Sequence, residues 1–300
     1  MKLEDYIKNR ISIINIYSKK NNIKLQKENI YKGKFCENIE YDKLINSYIE
    51  IIKDNNTAEE NELLERNLKT LKVTKLPILQ RCFKRKYTSK YLVYKNKIIL
   101  NEKVMDSLGH ELLHVASTNA TCKIIYSGFM KFDSIGNEIG RGLNEGFTEL
   151  LTNKYFNKKD ISSYQLFETN IASYLSEIIG FNKMKKFYFN ASLESLIIEL
   201  KKYDNLENII KFIKNIDNIK DTKQILDCYL TLYKWRALDL KNKYNKNIIT
   251  KEEYEKLVLD DSRIYPAKLY IMTCSTNPIT DEMKEEVRKR LWYQKNTVKN

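Results

Sequence analysis

Apolar residues recur along this chain with two different periods, and the change of period separates helices from strands. From Leu3 to about Leu71 they lie three or four positions apart, which predicts a helical N-terminal segment. Between Tyr91 and Leu100, two short apolar runs flank Lys95-Asn96-Lys97 and predict a β-hairpin. A helix is expected next, capped by the side chain of Asn101 and running to about Thr118.

The pattern after this helix predicts a second extended piece, then helices almost to the end of the chain. The extended piece covers Lys123 to Phe129, a loop with three glycines follows, and a helix is expected from Leu143 to about Phe156. Four amphipathic segments predict further helices: Tyr164 to Ile179, Ser192 to Tyr203, Lys223 to Asn242 and Asp281 to Trp292. The expected fold is therefore α+β and predominantly helical, with a small sheet packed on the helix after the hairpin.

No linker divides the chain by composition, so the division follows the predicted elements. We expect a helical N-terminal segment over 1–80, a core over 81–160 and a helical C-terminal lobe over 161–300. A chain with 42% hydrophobic and 11% aromatic residues is rich enough in apolar surface to fold as a globular protein. With only 3 prolines and 8 glycines, few helices are interrupted.

Cysteine usage and hydropathy bear on the compartment. The five cysteines are widely spaced and never form CxxC, which argues against a disulfide framework and against a thiolate zinc site. The first apolar run is too short for a secretory signal, and no run of about 18 apolar residues predicts a membrane span. We expect a cytoplasmic protein. Export by a route that needs no signal peptide stays open as an alternative.

The formal charge of +14 raises the question of an anionic partner, because basic surfaces attract nucleic acids. Lysine supplies nearly all of the excess, and the basic residues are spread over the whole chain without an arginine-rich block. We therefore expect no nucleic-acid partner, and we attribute the charge to a lysine-covered surface.

Both histidines of the protein lie in one short motif, Gly109-His110-Glu111-Leu112-Leu113-His114, which has the pattern HExxH. Residues four apart share one face of a helix, so His110 and His114 can offer two imidazole nitrogens to one metal ion. A catalytic zinc needs a third protein ligand and keeps one position for water. Glu111, next to that position, can serve as general base.

No histidine remains for the third ligand, so it must be Asp, Glu or Cys. Downstream, Glu145 and Glu149 lie one helical turn apart, and the other side of that predicted helix is apolar. If Glu145 binds the metal, Glu149 can accept the free ring N–H of a ligating histidine, His110 being the expected partner. The alternative is an exposed acidic edge of an ordinary helix.

The HExxH motif followed by Asn144-Glu145-Gly146-Phe147-Thr148-Glu149 resembles the gluzincin metallopeptidases of the thermolysin-like group, and the segment from Leu143 also looks like that of aminopeptidase N-like enzymes. The resemblance covers Gly109 to Glu149. It implies a zincin-like core, one zinc ion, a peptide or protein substrate, and Glu145 as the third ligand. By the same resemblance Glu111 is the general base and Glu149 orients a ligand histidine.

The chain also departs from that family. Thirty residues separate His114 from Glu145, a longer gap than in the named groups, and an inserted hairpin between Lys123 and Gly140 would account for it. No histidine is left to stabilise the oxyanion, so a tyrosine or arginine must do so. The candidates, which the sequence does not rank, are Arg141, Tyr164, Tyr174, Tyr188 and Tyr265. The exopeptidase strand of the aminopeptidases is absent.

Two other functions use the same residues. Two histidines and one carboxylate also form the iron site of non-haem Fe(II) oxygenases. A zincin-fold protein that binds partners and has lost turnover is the second alternative, although such a protein has no need of Glu111. For a peptidase, extended substrate is expected to bind along the edge strand near Tyr91 to Leu100 by strand addition.

Overall fold

The computed structural model describes residue 35 and the ranges 39–75, 89–100, 107–120, 124–132, 137–156, 166–219 and 222–261. Several sequence predictions fall outside these residues. They are residues 3–34 of the predicted N-terminal helical segment, the cap at Asn101, the helix from Asp281 to Trp292, and the oxyanion candidates Tyr164 and Tyr265.

The described part of the chain is α+β and predominantly helical, as predicted, with ten α-helices and two small sheets. The helices are α1 (Ile39–Asn55), α2 (Ala58–Leu68), α3 (Leu108–Ala116), α4 (Arg141–Phe156), α5 (Leu166–Ile179), α6 (Phe181–Phe189), α7 (Leu193–Leu200), α8 (Leu206–Asp217), α9 (Thr222–Asn245) and α10 (251–261). Among the described helices, none combines the length and the hydropathy needed to cross a bilayer.

The first sheet has three strands, β1 (Lys72–Lys75), β2 (Lys90–Leu92) and β3 (Lys97–Leu100), in the order β1-β3-β2. The predicted hairpin is confirmed, since β2 and β3 are antiparallel with Tyr91 opposite Ile98. A 3-10 turn over Val93–Lys95 and a left-handed Asn96 connect the two strands. β1 pairs in parallel with β3, which leaves β2 as an edge strand among the described residues.

The second sheet is an antiparallel meander of four short strands in sequence order. Its strands are β4 (Thr118–Ala120), β5 (Ile125–Ser127), β6 (Met130–Phe132) and β7 (Glu138–Ile139). It lies between α3 and α4, in the stretch where the long gap between the two motifs predicted an inserted hairpin.

One hydrophobic core runs through the described elements and surrounds α3 and α4. All nine residues of α3 are buried, because α1, α2, α4 and the edge strand β2 pack around it. α4 packs against α3 and, more extensively, against α5, with α8 closing over its first turn. Within the described ranges, the largest fully buried side chain is Trp235 of α9. The two helices that carry the HExxH and Asn-Glu motifs are thus the central helices of this core.

Most of the predicted elements are observed, with shifted ends. α3 is described from Leu108, with Ser107 as its N-cap residue, and the residues between Asn101 and Ser107 lie outside the described ranges. The helix predicted from Leu143 begins two residues earlier, at Arg141. The strand predicted over 123–129 is confined to Ile125–Ser127, because Gly128 turns the chain back into β6.

Candidate metal centre

The two histidines lie on the inner helix α3 and face the same neighbour. Each side chain is 9% exposed, and the two Nε2 atoms are 3.0 Å apart. The rings meet edge to face, with their centroids 4.7 Å apart. The helical spacing that predicts two convergent imidazoles from the sequence therefore corresponds to two convergent Nε2 atoms in the structure.

Glu145 comes from the separate helix α4 and completes a triangle with the two rings. Its Oε2 lies 3.1 Å from Nε2 of His110, and its Oε1 lies 3.5 Å from Nε2 of His114. Its side chain is 31% exposed, whereas the histidines are almost enclosed, so the triangle opens on the Glu145 side. The structure brings together the three residues that the sequence singles out as ligands.

The donor atoms fit a single metal ion. A tetrahedral zinc site with metal–ligand bonds of about 2.1 Å has ligand atoms about 3.4 Å apart. Here the two Nε2 atoms are 3.0 Å apart, and they lie 3.1 and 3.5 Å from Oε2 and Oε1 of Glu145, respectively. His110, His114 and Glu145 could therefore hold a metal ion. Two imidazoles and one carboxylate are also ligands that several divalent transition metals accept.

Glu149 lies one turn further along α4 and contacts the other side of His110. Its Oε2 is 3.1 Å from Nδ1 of His110, and its side chain is only 1% exposed. A buried carboxylate at this nitrogen favours a proton on Nδ1, which leaves Nε2 free for a metal. The contact is the one expected from the sequence, while the proposed function of Glu149 stays a prediction.

Glu111 is buried beside the histidines and is held by the edge strand. Its Oε2 accepts a hydrogen bond of 2.7 Å from the backbone N–H of Tyr91 in β2. This N–H donates to α3 and not to β3, so the side of β2 opposite β3 borders the carboxylate. Glu111 is 8% exposed and lies in the same helical turn as His110.

The buried side chain of Asn144 also contacts the site, and sequence analysis missed it. Its amide nitrogen is 3.3 Å from Nδ1 of His114, and its Oδ1 accepts a hydrogen bond from the N–H of Phe129. Gly128 makes room for it, because a Cβ at this left-handed residue would lie 2.2 Å from Asn144 Oδ1. The position of Asn144 directly before Glu145 was the available sequence signal.

The first turn of α4 is fixed by two close approaches to other helices. Asp217, the last residue of α8, accepts hydrogen bonds from the backbone N–H groups of Gly140 and Gly142, at 2.7 and 2.8 Å. Gly146 lies against α5 so closely that a Cβ there would be 2.1 Å from the carbonyl oxygen of Glu168. These contacts set the position of Glu145, which lies between the two glycines of α4.

The electrostatics of the cluster are dominated by burial and by contacts between its own groups. Burial alone would lower the pKa of His110, but hydrogen bonds to Glu145 and Glu149 outweigh it and raise that pKa to about 10. Burial would raise the pKa of Glu145, whereas the nearby histidines hold it well below its usual range. Burial raises the pKa of Glu111, against the opposing effect of both rings. The cluster attracts positive charge, as a cation site must.

Of the five candidates for oxyanion stabilisation, three lie in the described residues. Tyr174 is 1% exposed and packs against Tyr229 of α9. Tyr188 is fully buried, and its hydroxyl lies 2.7 Å from Oγ1 of Thr148. Arg141 is exposed and lies one helical turn before Glu145, with Nε 3.7 Å from Oε1 of Glu138. Arg141 is therefore the described candidate that reaches solvent one helical turn from Glu145.

No protein-family profile, curated protein or solved structure matches this chain.

Proposed function

We propose that this protein is a zinc-dependent metallopeptidase of the gluzincin type with a zincin-like core. The observation that carries the proposal is the convergence of His110, His114 and Glu145, from two helices, on one point beside the carboxylate of Glu111. Two imidazoles and one carboxylate with an adjacent buried base are the ligand set of a hydrolytic zinc site.

Bound zinc would supply Lewis acidity, lowering the pKa of a coordinated water and polarising the substrate carbonyl. Glu111 then accepts the proton of the attacking water and transfers it to the leaving amine. Its raised pKa suits this exchange, because a general base works best when its pKa approaches the working pH. Glu149 keeps the Nδ1 proton of His110 in place, so that Nε2 remains a ligand.

The edge strand β2 is the surface that best suits an extended substrate. The sequence hypothesis named residues 91–100, and of the two described strands in that range only β2 is an edge strand, because β3 lies between β1 and β2. Because the N–H of Tyr91 points from this edge to Glu111, a peptide added along β2 would run past the base. Arg141, exposed beside Glu145, is the described side chain best placed to stabilise negative charge on the substrate carbonyl.

The experiment is a peptide-library digest with zinc-loaded wild type, Glu111→Gln and Glu145→Ala, with zinc content measured for each. Glu207→Gln, an exposed change on α8 that also removes one negative charge, is the control. We expect cleavage by wild type and the control, loss of cleavage with zinc retained in Glu111→Gln, and loss of both in Glu145→Ala.

The same experiment separates the alternatives. A zinc-loaded wild type that cleaves no peptide would contradict the peptidase proposal and favour a zincin-fold interaction protein. Protein purified without added metal that contains iron and no zinc would favour a non-haem Fe(II) enzyme with the same three ligands.

A further inference from the structure

The hydrogen bond between Tyr91 and Glu111 depends on a strand with few constraints of its own. β2 has three residues, and within the described ranges its one strand partner is β3. The carboxylate of Glu111 stands on three rotatable bonds, so a fixed donor is needed to hold it in one place. The position of the Tyr91 N–H is therefore set by whatever anchors the β2–β3 hairpin to the rest of the protein.

The side chain of Asn96 provides that anchor. Its Oδ1 accepts a hydrogen bond of 2.9 Å from the hydroxyl of Tyr91, within the hairpin. Its Nδ2 donates out of the hairpin to the carbonyl of Asn67 at 2.7 Å and to Oγ1 of Thr70 at 2.8 Å. Asn96 itself has a φ of 42°, a left-handed conformation that asparagine tolerates better than most residues.

The connection continues from α2 back to the HExxH helix. The amide of Asn67 donates to the carbonyls of Val115 and Thr118, both at 2.8 Å, at the C-terminal end of α3. These hydrogen bonds form a closed ring. Glu111 of α3 accepts from Tyr91, Tyr91 donates to Asn96, Asn96 donates to Asn67, and Asn67 donates to the C-terminal end of α3. The turn of the hairpin does not need the bonds from Asn96 to Asn67 and Thr70, so these bonds serve to attach the hairpin to the end of α2.

We propose that Asn96 is a positioning residue for Glu111, acting through Tyr91 to hold the strand amide against the carboxylate. This rests on the proposed function of Glu111 as general base, although the ring itself can be tested without any activity. Positioning of this kind affects the rate of the chemical step more than substrate affinity, because a misplaced base still leaves the binding surface intact.

The first readout is the amide proton shift of Tyr91 in 15N-tyrosine-labelled protein, assigned by its disappearance in Tyr91→Phe. Asn96→Gly keeps the left-handed backbone and removes the side-chain bonds. Asn247→Gly is the matched control, because Asn247 is also left-handed, with φ 53°, and is exposed. We expect Asn96→Gly to move the Tyr91 resonance upfield, as Glu111→Gln should, and the control to leave it unchanged.

The second readout is kinetic, with a quenched fluorescent peptide chosen from the library digest. We expect Asn96→Gly and Tyr91→Phe to lower kcat by about tenfold, with KM changed less than about twofold and zinc content unchanged. Should Asn96→Gly not fold, Asn96→Asp keeps the acceptor for Tyr91 and removes the two amide donations.

The two readouts fail in different ways. An unmoved Tyr91 resonance in Asn96→Gly would overturn the positioning inference whatever the activity. A moved resonance with an unchanged kcat would also overturn it, since the ring would then have no consequence for the base. A wild type that cleaves nothing would instead defeat the proposed function, and the resonance would still decide whether Asn96 controls the Tyr91 contact.

Discussion

Gly146→Ala places one methyl group where α4 and α5 meet. The added Cβ would lie 2.1 Å from the carbonyl oxygen of Glu168 and 2.3 Å from its carbonyl carbon. Both are backbone atoms and cannot rotate away, and ordinary contacts of this kind are about 3.5 Å. The two helices must therefore separate locally by about 1 Å. Overpacking of this kind costs about 1–3 kcal/mol, while alanine in place of glycine favours a helix by about 1 kcal/mol.

We expect the zinc-free Gly146→Ala variant to lose up to about 2 kcal/mol in its free energy of unfolding, measured by urea denaturation. Because Glu145 is the adjacent residue, a shift of about 1 Å also moves its carboxylate away from the two rings. Zinc affinity, measured by competition with a chelating dye, should fall by about tenfold or more, as for other changes next to a metal ligand.

Gly180→Ala is the control for this experiment. Gly180 has φ 99°, and no atom lies within 4 Å of the position that a Cβ would take, so alanine there is strained without a clash. We expect a loss of stability of about 1–2 kcal/mol from backbone strain, with zinc affinity unchanged. Equal zinc affinities for the two variants would refute the argument that the approach of α5 sets the position of Glu145.

Three further outcomes follow from the site and the core. Zinc must displace the proton that His110 carries below its pKa of about 10, so zinc binding near pH 7 should release about one proton, and the apparent zinc affinity should rise with pH up to about 10. Calorimetry in buffers of different ionisation enthalpy measures the proton release. Zinc binding without proton release would contradict this prediction. Asn144→Ala leaves the buried N–H of Phe129 without its acceptor and should cost about 1–3 kcal/mol in thermal unfolding, whereas unchanged stability would show the bond to be dispensable. Burial raises the pKa of Cys228 to about 12, so this thiol should resist alkylation until the protein unfolds. Peptide mapping measures the alkylation, and rapid labelling of the native protein would contradict the burial of Cys228.

The site was the most predictable part of the molecule, because its two motifs are local. The i, i+4 spacing of His110 and His114, and of Glu145 and Glu149, fixes on which face of each helix these side chains lie. That the two faces meet was an inference from ligand count and resemblance, and periodicity alone could not supply it. The fold class followed from the same local periodicity together with the scarcity of proline and glycine.

What the sequence did not predict depends on contacts between distant residues. The parallel pairing of β1 with β3 and the capping of α4 by Asp217, 75 residues beyond Gly142, have no local signal. The anchoring of Glu111 by the N–H of Tyr91 uses a backbone atom, which any residue could supply.

X-ray absorption at the zinc edge of the stoichiometrically loaded protein tests the central claim most directly. The account predicts one zinc per chain, bound by two imidazoles and by oxygen ligands at about 2.0–2.2 Å, with this signal lost in Glu145→Ala. A sulfur shell at about 2.3 Å, or a signal unchanged in Glu145→Ala, would contradict the account, because the metal would then be held by residues other than His110, His114 and Glu145.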